Sequence, residues 1–224
     1  MLLENNFVFR ENPDGSYMFV GDFDGLYEAE SDPWGQSGTD ERLKDYYAFS
    51  RMRLINLVKQ KTTGRILEVG CGLGFVVDKL NKNIPDREIA GLDISGVAIN
   101  LARKKFPHHI FIEKDITEVA LLISKFDVII LNQVLWYILE RLLIALINCH
   151  RALNDGGHLI LSQAFLKDCQ RYGADISEGY IGFMTYFHRV QKQDETFHLI
   201  YGDYDRSDRF EHHDGLALFE KVPW

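Results

Sequence analysis

The sequence is short of cysteine, of basic charge and of uninterrupted apolar runs, and each shortage removes a class of protein. Three cysteines, Cys71, Cys149 and Cys169, form no C-x-x-C pair and no disulfide framework. Twenty-five Lys and Arg face 33 Asp and Glu, for a formal charge of -8. No basic run or basic-aromatic patch occurs, so a general phosphate-backbone binder is excluded. The N-terminus, "MLLENNFVFRENPDG", carries an acid at position 4 and no continuous apolar core, unlike a secretory signal. The longest apolar stretch, "DVIILNQVLWYILERLLIALI", is interrupted by Asn132, Gln133, Glu140 and Arg141, whereas a membrane helix needs about 20 mostly apolar residues. No spaced metal-ligand set is present. Adjacent histidines in "HHDG" (212–215) would point to opposite faces of a strand, and a solvated loop without a metal is expected there. The expectation is a reduced, cytoplasmic protein, monomeric or homodimeric, with no nucleic-acid or membrane partner.

What is there is an alternation. Residues 1–40 read as irregular, with turn chemistry in "ENPDGSY", "GDFDG" and "SDPWGQSGTD" and aromatics between. From Asp40 to about Lys61, apolar residues recur at helical spacing. Strands are then expected at 65–70, 88–93, 109–115, 126–131 and 158–163, with helices at 75–83 and after Ser95. A long helix is predicted from about Val134 to Asn154, ended by "NDGG". "TFHLIYGDYD" and "GLALFEKV" read as an antiparallel pair joined by the polar loop "RSDRFEHHD". Strands alternating with helices imply parallel βαβ units in a doubly wound sheet. The whole of 1–224 is taken as one domain. Its parts are an N-terminal lid and helical segment (1–61), a core (62–163), an insertion (164–195) and a terminal strand pair (196–224).

"GCGLG", at 70–74, ends the first expected strand. Ligands of open parallel sheets bind beyond the carboxyl ends of the strands, and glycines there let the backbone approach them. The spacing is G-x-G-x-G rather than the G-x-G-x-x-G of dinucleotide sites, which disfavours a Rossmann oxidoreductase. Three successive strands carry acids at or near their ends: Glu68, Asp93 and Asp115. Acids at all three ends suit a cationic ligand carrying a ribose better than a pyrophosphate.

These motifs together resemble the class I S-adenosylmethionine-dependent methyltransferases. "ILEVGCGLGF" is similar to their first motif, "GLDIS" to their acidic loop and "EKDIT" to their adenine-contacting motif. "FDVIILNQVLWYI" resembles their fourth strand, and "LNDGGHLILSQ" their turn into the fifth. The resemblance covers about residues 42–165. It implies a Rossmann-like, doubly wound, seven-stranded, mostly parallel sheet with a C-terminal antiparallel hairpin. It also implies S-adenosyl-L-methionine as methyl donor. Gly70, Cys71 and Gly72 would line its methionine portion and Asp93 its ribose, with Ile94 against the adenine. Asp115 and Ile116 would flank the adenine's other edge, and Asn132 would meet the amino end. Glu68 would organise the glycine turn. Gln133, Trp136 and Tyr137 follow the fourth strand at the functional edge, and Arg51 would reach the donor carboxylate. The segment from Tyr27 to Arg51 is expected to fold over the donor, bringing Trp34 and Tyr46 or Tyr47 to the pocket.

No residue is marked as a general base; Tyr137, Tyr172, His188 and Glu140 stand as unranked candidates. Cys71 reads as a small residue near the donor rather than a nucleophile. "SDPWG" and "DCQRYGADISEGY" resemble the nodulation methyltransferases that act on an amino sugar of chitooligosaccharides. That resemblance implies a small polar acceptor methylated at N or O, such as a sugar or amino sugar. The competing class is a non-catalytic donor-binding regulator or scaffold.

Overall fold

The computed structural model describes residues 6–119, 124–167, 170, 172–191 and 196–223. Cys169 and parts of the 164–195 insertion therefore lie outside the described residues. The framework is a seven-stranded sheet ordered β5-β4-β3-β6-β7-β9-β8. β3 (Ile66–Val69), β4 (Ile89–Asp93), β5 (Ile110–Glu113), β6 (Phe126–Asn132) and β7 (Leu153–Leu166) run parallel. β9 (His212–Lys221) is antiparallel to both β7 and the edge strand β8 (Phe197–Asp205). Every residue of β3 and β4 is buried, which explains why those strands read as unbroken apolar runs rather than as alternation.

Helices cover both faces. α2 (Glu41–Lys61), α3 (Phe75–Asn83) and α4 (Gly96–Lys105) pack Leu54, Val58, Val77, Leu80 and Ile99 on one face. The described residues of α5 (Leu135–Ile138), α6 (Leu142–Ala152) and α7 (Gly179–Gln191) pack Leu135, Leu142, Leu146, Phe183 and Phe187 on the other. Ser95 caps α4, its hydroxyl accepting from the Ala98 amide, and the helix stops before Pro107.

Four local expectations are corrected. The single helix from Val134 to Asn154 is broken into α5, a 3-10 turn at Leu139–Arg141 and α6. Ile138 (φ -111, ψ 6) and Arg141 (φ -115, ψ 19) leave the helical basin. The Leu139 carbonyl accepts from the Tyr186 hydroxyl, and the Arg141 guanidinium donates to the Thr117 carbonyl. Tertiary bonds thus accompany the local Leu142 amide to Leu139 carbonyl bond at this break, and apolar periodicity cannot register them.

The fifth parallel strand starts at Leu153, earlier than expected. "NDGG" is an irregularity within it, with Gly156 at φ 73, rather than a linker before it. Residues 6–40 are not irregular throughout. β1 (Phe9–Glu11) and β2 (Tyr17–Phe19) form a hairpin, and α1 (Phe23–Ala29) follows, capped by Asp22. Three-residue strands are too short to show a period. Finally, "HHD" is not a solvated loop. His212 and Asp214 are buried in β9, paired with Leu166 and Ala164 of β7.

Candidate functional site

A cavity of about 410 Å³ opens where β3, β4 and β6 end, within the roughly 300–1,000 Å³ range of small-molecule sites. Its floor is the glycine turn. Gly70 and Gly72 take φ 75 and φ 49, a region that disfavours side chains. A Cβ on Gly70 would collide with Val134, and one on Gly72 would lie 2.6 Å from the Tyr27 hydroxyl. Gly70 lines the cavity, whereas Gly72 is covered by Tyr27 and Gln36. Cys71 is not on the wall. Its buried thiol packs beneath the turn against Gly91, and burial pushes its pKa well up, which suits a packing role.

Asp93, at the end of β4, is 8% exposed and lines the cavity. Its Oδ2 accepts from the Gly72 amide at 2.8 Å and its Oδ1 from the Ser95 amide at 2.9 Å. Burial raises its pKa against the pull of those bonds. Each oxygen keeps a further lone pair for a ligand hydroxyl. Ile94 and Ile116 line the same space, as does Asp115, whose Oδ1 accepts from the Thr117 amide at 2.7 Å. Arg141 Nη1 lies 3.6 Å from Asp115 Oδ2.

Glu68 sits behind the wall rather than on it. Asn132 lines the cavity and donates its amide to Glu68 Oε1 at 2.9 Å. Oε2 is buried without a hydrogen bond among the described residues. Burial pushes the carboxyl up to about 7, while Asn132, Arg51 and the Val77 amide pull it down.

The roof comes from the N-terminal segment. Asp32 accepts from the Gln36 and Ser37 amides, shaping the loop. Tyr47 donates to the Trp34 carbonyl at 2.8 Å and Arg51 to the Gln36 carbonyl at 2.9 Å. Gln36 Oε1 accepts from the Leu73 amide at 3.1 Å, so loop 32–38 is fastened to the glycine turn and to α2 together. Trp34, Tyr46, Tyr47 and Arg51 all line the cavity, and the Trp34 and Tyr137 rings lie 5.6 Å apart.

Gln133 adopts φ 59, unusual for a residue with a side chain, at the turn after β6. Its Oε1 accepts from the Ala164 amide at 2.9 Å, and its Nε2 approaches the Tyr46 hydroxyl at 3.4 Å. Tyr46 in turn donates to Asp214 at 3.0 Å. Tyr137 and Tyr172 line the cavity. Burial raises both phenols, and Tyr172 reaches the exposed Glu140 at 3.4 Å. His188 does not join them; it lies exposed on α7, away from the cavity.

Sequence reasoning missed Gln36, Arg141, Asp214 and Asp24, whose carboxylate accepts from Ser95 Oγ at 2.6 Å and the Val97 amide. No local pattern marks them, because each acts on a distant segment. Among the described residues no cluster could hold a metal, and no helix is long and apolar enough to cross a membrane.

Residues 67–159 match a family model described as a methyltransferase domain. Nodulation protein S of Rhizobium tropici is 30% identical over 149 residues, 65% of this chain and 60% of that protein. The match thus leaves more than a third of that relative uncovered. Nodulation protein S of Azorhizobium caulinodans is 29% identical over 146 residues, 63% of this chain and 67% of that protein. N-methyltransferase NodS from Bradyrhizobium japonicum WM9, solved with S-adenosyl-L-homocysteine, superposes with TM-score 0.66 at 20% identity, over 89% of this chain and 96% of that one. That likeness confirms the fold. The donor set also suits the cofactor of this domain class, S-adenosylmethionine: a buried carboxylate with spare lone pairs, apolar flanks and the bare Gly70 backbone share one cavity.

Proposed function

We propose, for a chain that carries a class I S-adenosylmethionine-dependent methyltransferase domain, methyl transfer to nitrogen or oxygen of a small polar acceptor such as a sugar or amino sugar. The observation that carries this reading is the buried Asp93 on a cavity wall that also includes Gly70 and Asp115. Nodulation protein S relatives and an N-methyltransferase neighbour support it. The chain acts as one domain, with the N-terminal segment as its roof.

The donor supplies an activated methyl group when bound. The protein's task is alignment and exclusion of water, and orientation of this kind contributes about 7–11 kcal/mol to a bimolecular step. The Gly70 backbone borders the methionine portion. Asp93 accepts the ribose hydroxyls, and Ile94 and Ile116 sandwich the adenine. Asp115 accepts from its amino edge. Asn132, steadied by Glu68, meets the amino end. Loop 32–38 closes the site from above.

The test is calorimetry with S-adenosylhomocysteine, paired with turnover on a panel of sugars and amino sugars. Asp93→Ala should weaken product binding by about 1.5–3 kcal/mol, the worth of hydrogen bonds to a charged group. Circular dichroism should be unchanged, because the residue ends a strand. Full affinity in the folded variant would remove the donor assignment. Binding without turnover on any acceptor would leave a donor-binding scaffold.

A further inference from the structure

One buried carboxylate at this site has no part in the donor assignment. Asp214, in β9, is 2% exposed. It faces α2, which presents Tyr46, Ser50 and Arg53 along one side at helical spacing. Arg53 pairs with Asp214 Oδ2, donates to its backbone carbonyl at 3.1 Å, and reaches Asp203 of β8 at 2.7 Å. The guanidinium therefore opposes the burial that raises the Asp214 pKa. Ser50 bonds the carboxylate as well, and Oδ1 accepts the Tyr46 proton at 3.0 Å.

That bond decides what Tyr46 can offer the cavity it lines. A phenol has one proton and lone pairs on its oxygen. With the proton committed to Asp214, the oxygen can only accept. Burial and the adjacent carboxylate push the phenol well above its ordinary range, so it stays neutral and is not a base. Gln133 Nε2 approaches at 3.4 Å, and Ser50, which also bonds Asp214, is a second side-chain neighbour of the phenol oxygen. Tyr46, Gln133 and Asn132 line the same cavity.

We propose that Tyr46 and Asp214 form an acceptor-recognition pair: the Tyr46 oxygen receives a hydrogen bond from the N–H or O–H being methylated, and Asp214 keeps the phenol proton turned away. This rests on the methyltransferase reading above and adds the residues that read the acceptor's hydrogen. A heteroatom bearing hydrogen is matched. A thioether or carboxylate acceptor leaves the phenol oxygen unpaired or repelled, which a site built for a hydrogen-bond donor penalises heavily. Tyr46 is the residue that touches the acceptor, and Asp214 is a positioning residue acting through it.

The alternative is a staple that fastens α2 to β9. Two ligands separate the two roles: S-adenosylhomocysteine, which has a bare sulfur, and sinefungin, which carries an amine at the equivalent place. Calorimetry on the wild type, Tyr46→Phe and Asp214→Asn is the experiment. In Tyr46→Phe, homocysteine-analogue affinity should hold within about twofold while sinefungin weakens about tenfold or more. Asp214→Asn should shift the same ratio in the same direction, by less. Equal losses for both ligands would mean a staple and overturn the proposal, as would no loss for either. If the wild type binds neither ligand, the donor reading itself fails and this proposal falls with it, a result distinct from unchanged discrimination.

Discussion

The two walls of the cavity are held by different kinds of bond. On the donor side, Asp93 grips the amides of Gly72 and Ser95, 21 and two residues away in sequence. On the opposite side, Tyr46 meets Asp214 across 168 residues, and Gln133 meets Tyr46 across 87. The first wall is strand ends and turns, shaped by backbone conformation. The second is side chain on side chain, assembled only when α2 docks on β9. The lesson is that the wall proposed to hold the donor is a local motif repeated at neighbouring strands, while the wall proposed to face the acceptor depends on packing.

Breaking the glycine turn beneath the proposed donor wall should have the largest effect. Gly72→Val introduces a branched side chain at φ 49, against Tyr27 and Gln36. Strain of about 1–3 kcal/mol at the backbone adds to the collision. Binding of S-adenosylhomocysteine should disappear, as read by calorimetry. Normal binding would place the ligand elsewhere and erase the contrast between the walls.

Removing the roof should cost less. Deleting residues 1–38 takes away Trp34 and Gln36 but none of the seven-stranded sheet or of the two cores packed on it. The α/β core should stay folded by circular dichroism, while turnover falls about 100-fold through misplacement and admitted water. In the full chain, amide exchange around Trp34 should slow when S-adenosylhomocysteine is added. A truncated protein with normal binding and turnover would show that loop 32–38 is no lid.

The mildest perturbation is at Glu68, whose side chain reaches Asn132 across 64 residues behind the cavity wall. Burial lifts its carboxyl from 4.5 to about 7. A carboxyl with a raised folded pKa binds more protons folded than unfolded. Its contribution to stability therefore declines as pH rises from about 4.5 through about 7. The full span corresponds to roughly 3 kcal/mol at 1.36 kcal/mol per pKa unit. Urea titrations at about pH 5 and about pH 8 should show this slope in the wild type and a flatter one in Glu68→Gln. An identical slope in both would mean that the buried carboxyl does not titrate in that window.

The sheet was legible because its signals are local. Ile66–Val69 and Ile89–Asp93 are buried on both faces and Phe126–Asn132 is largely so, so the mainly apolar run itself marks the strand. Ser95 caps a helix with a bond to a residue three positions on. The break at Leu139–Arg141 was not legible, since Tyr186 and Thr117 supply the competing bonds from distant segments. Nor was the short N-terminal hairpin, whose strands carry no period.

The same division runs through the site. Gly70, Asp93, Ile94, Asp115, Ile116 and Asn132 line one cavity, and each follows or ends a strand of the parallel sheet. His188 had only its chemistry to recommend it and sits on an outer helix face. Asp214, hidden in a polar triplet that resembles a loop, is buried against Arg53 and Tyr46.

The alternation of strand and helix, the glycine turn and the acids at or near three strand ends depend on neighbours along the chain and on one-dimensional burial patterns, so they can be read from the residues alone. Folding was needed to bring Gln36 over the turn, Arg141 towards Asp115, and Tyr46 to Gln133 and Asp214. Those contacts join segments whose separation in sequence carries no period, and they exist because the packing of two helical layers on one sheet brings their side chains within hydrogen-bonding distance.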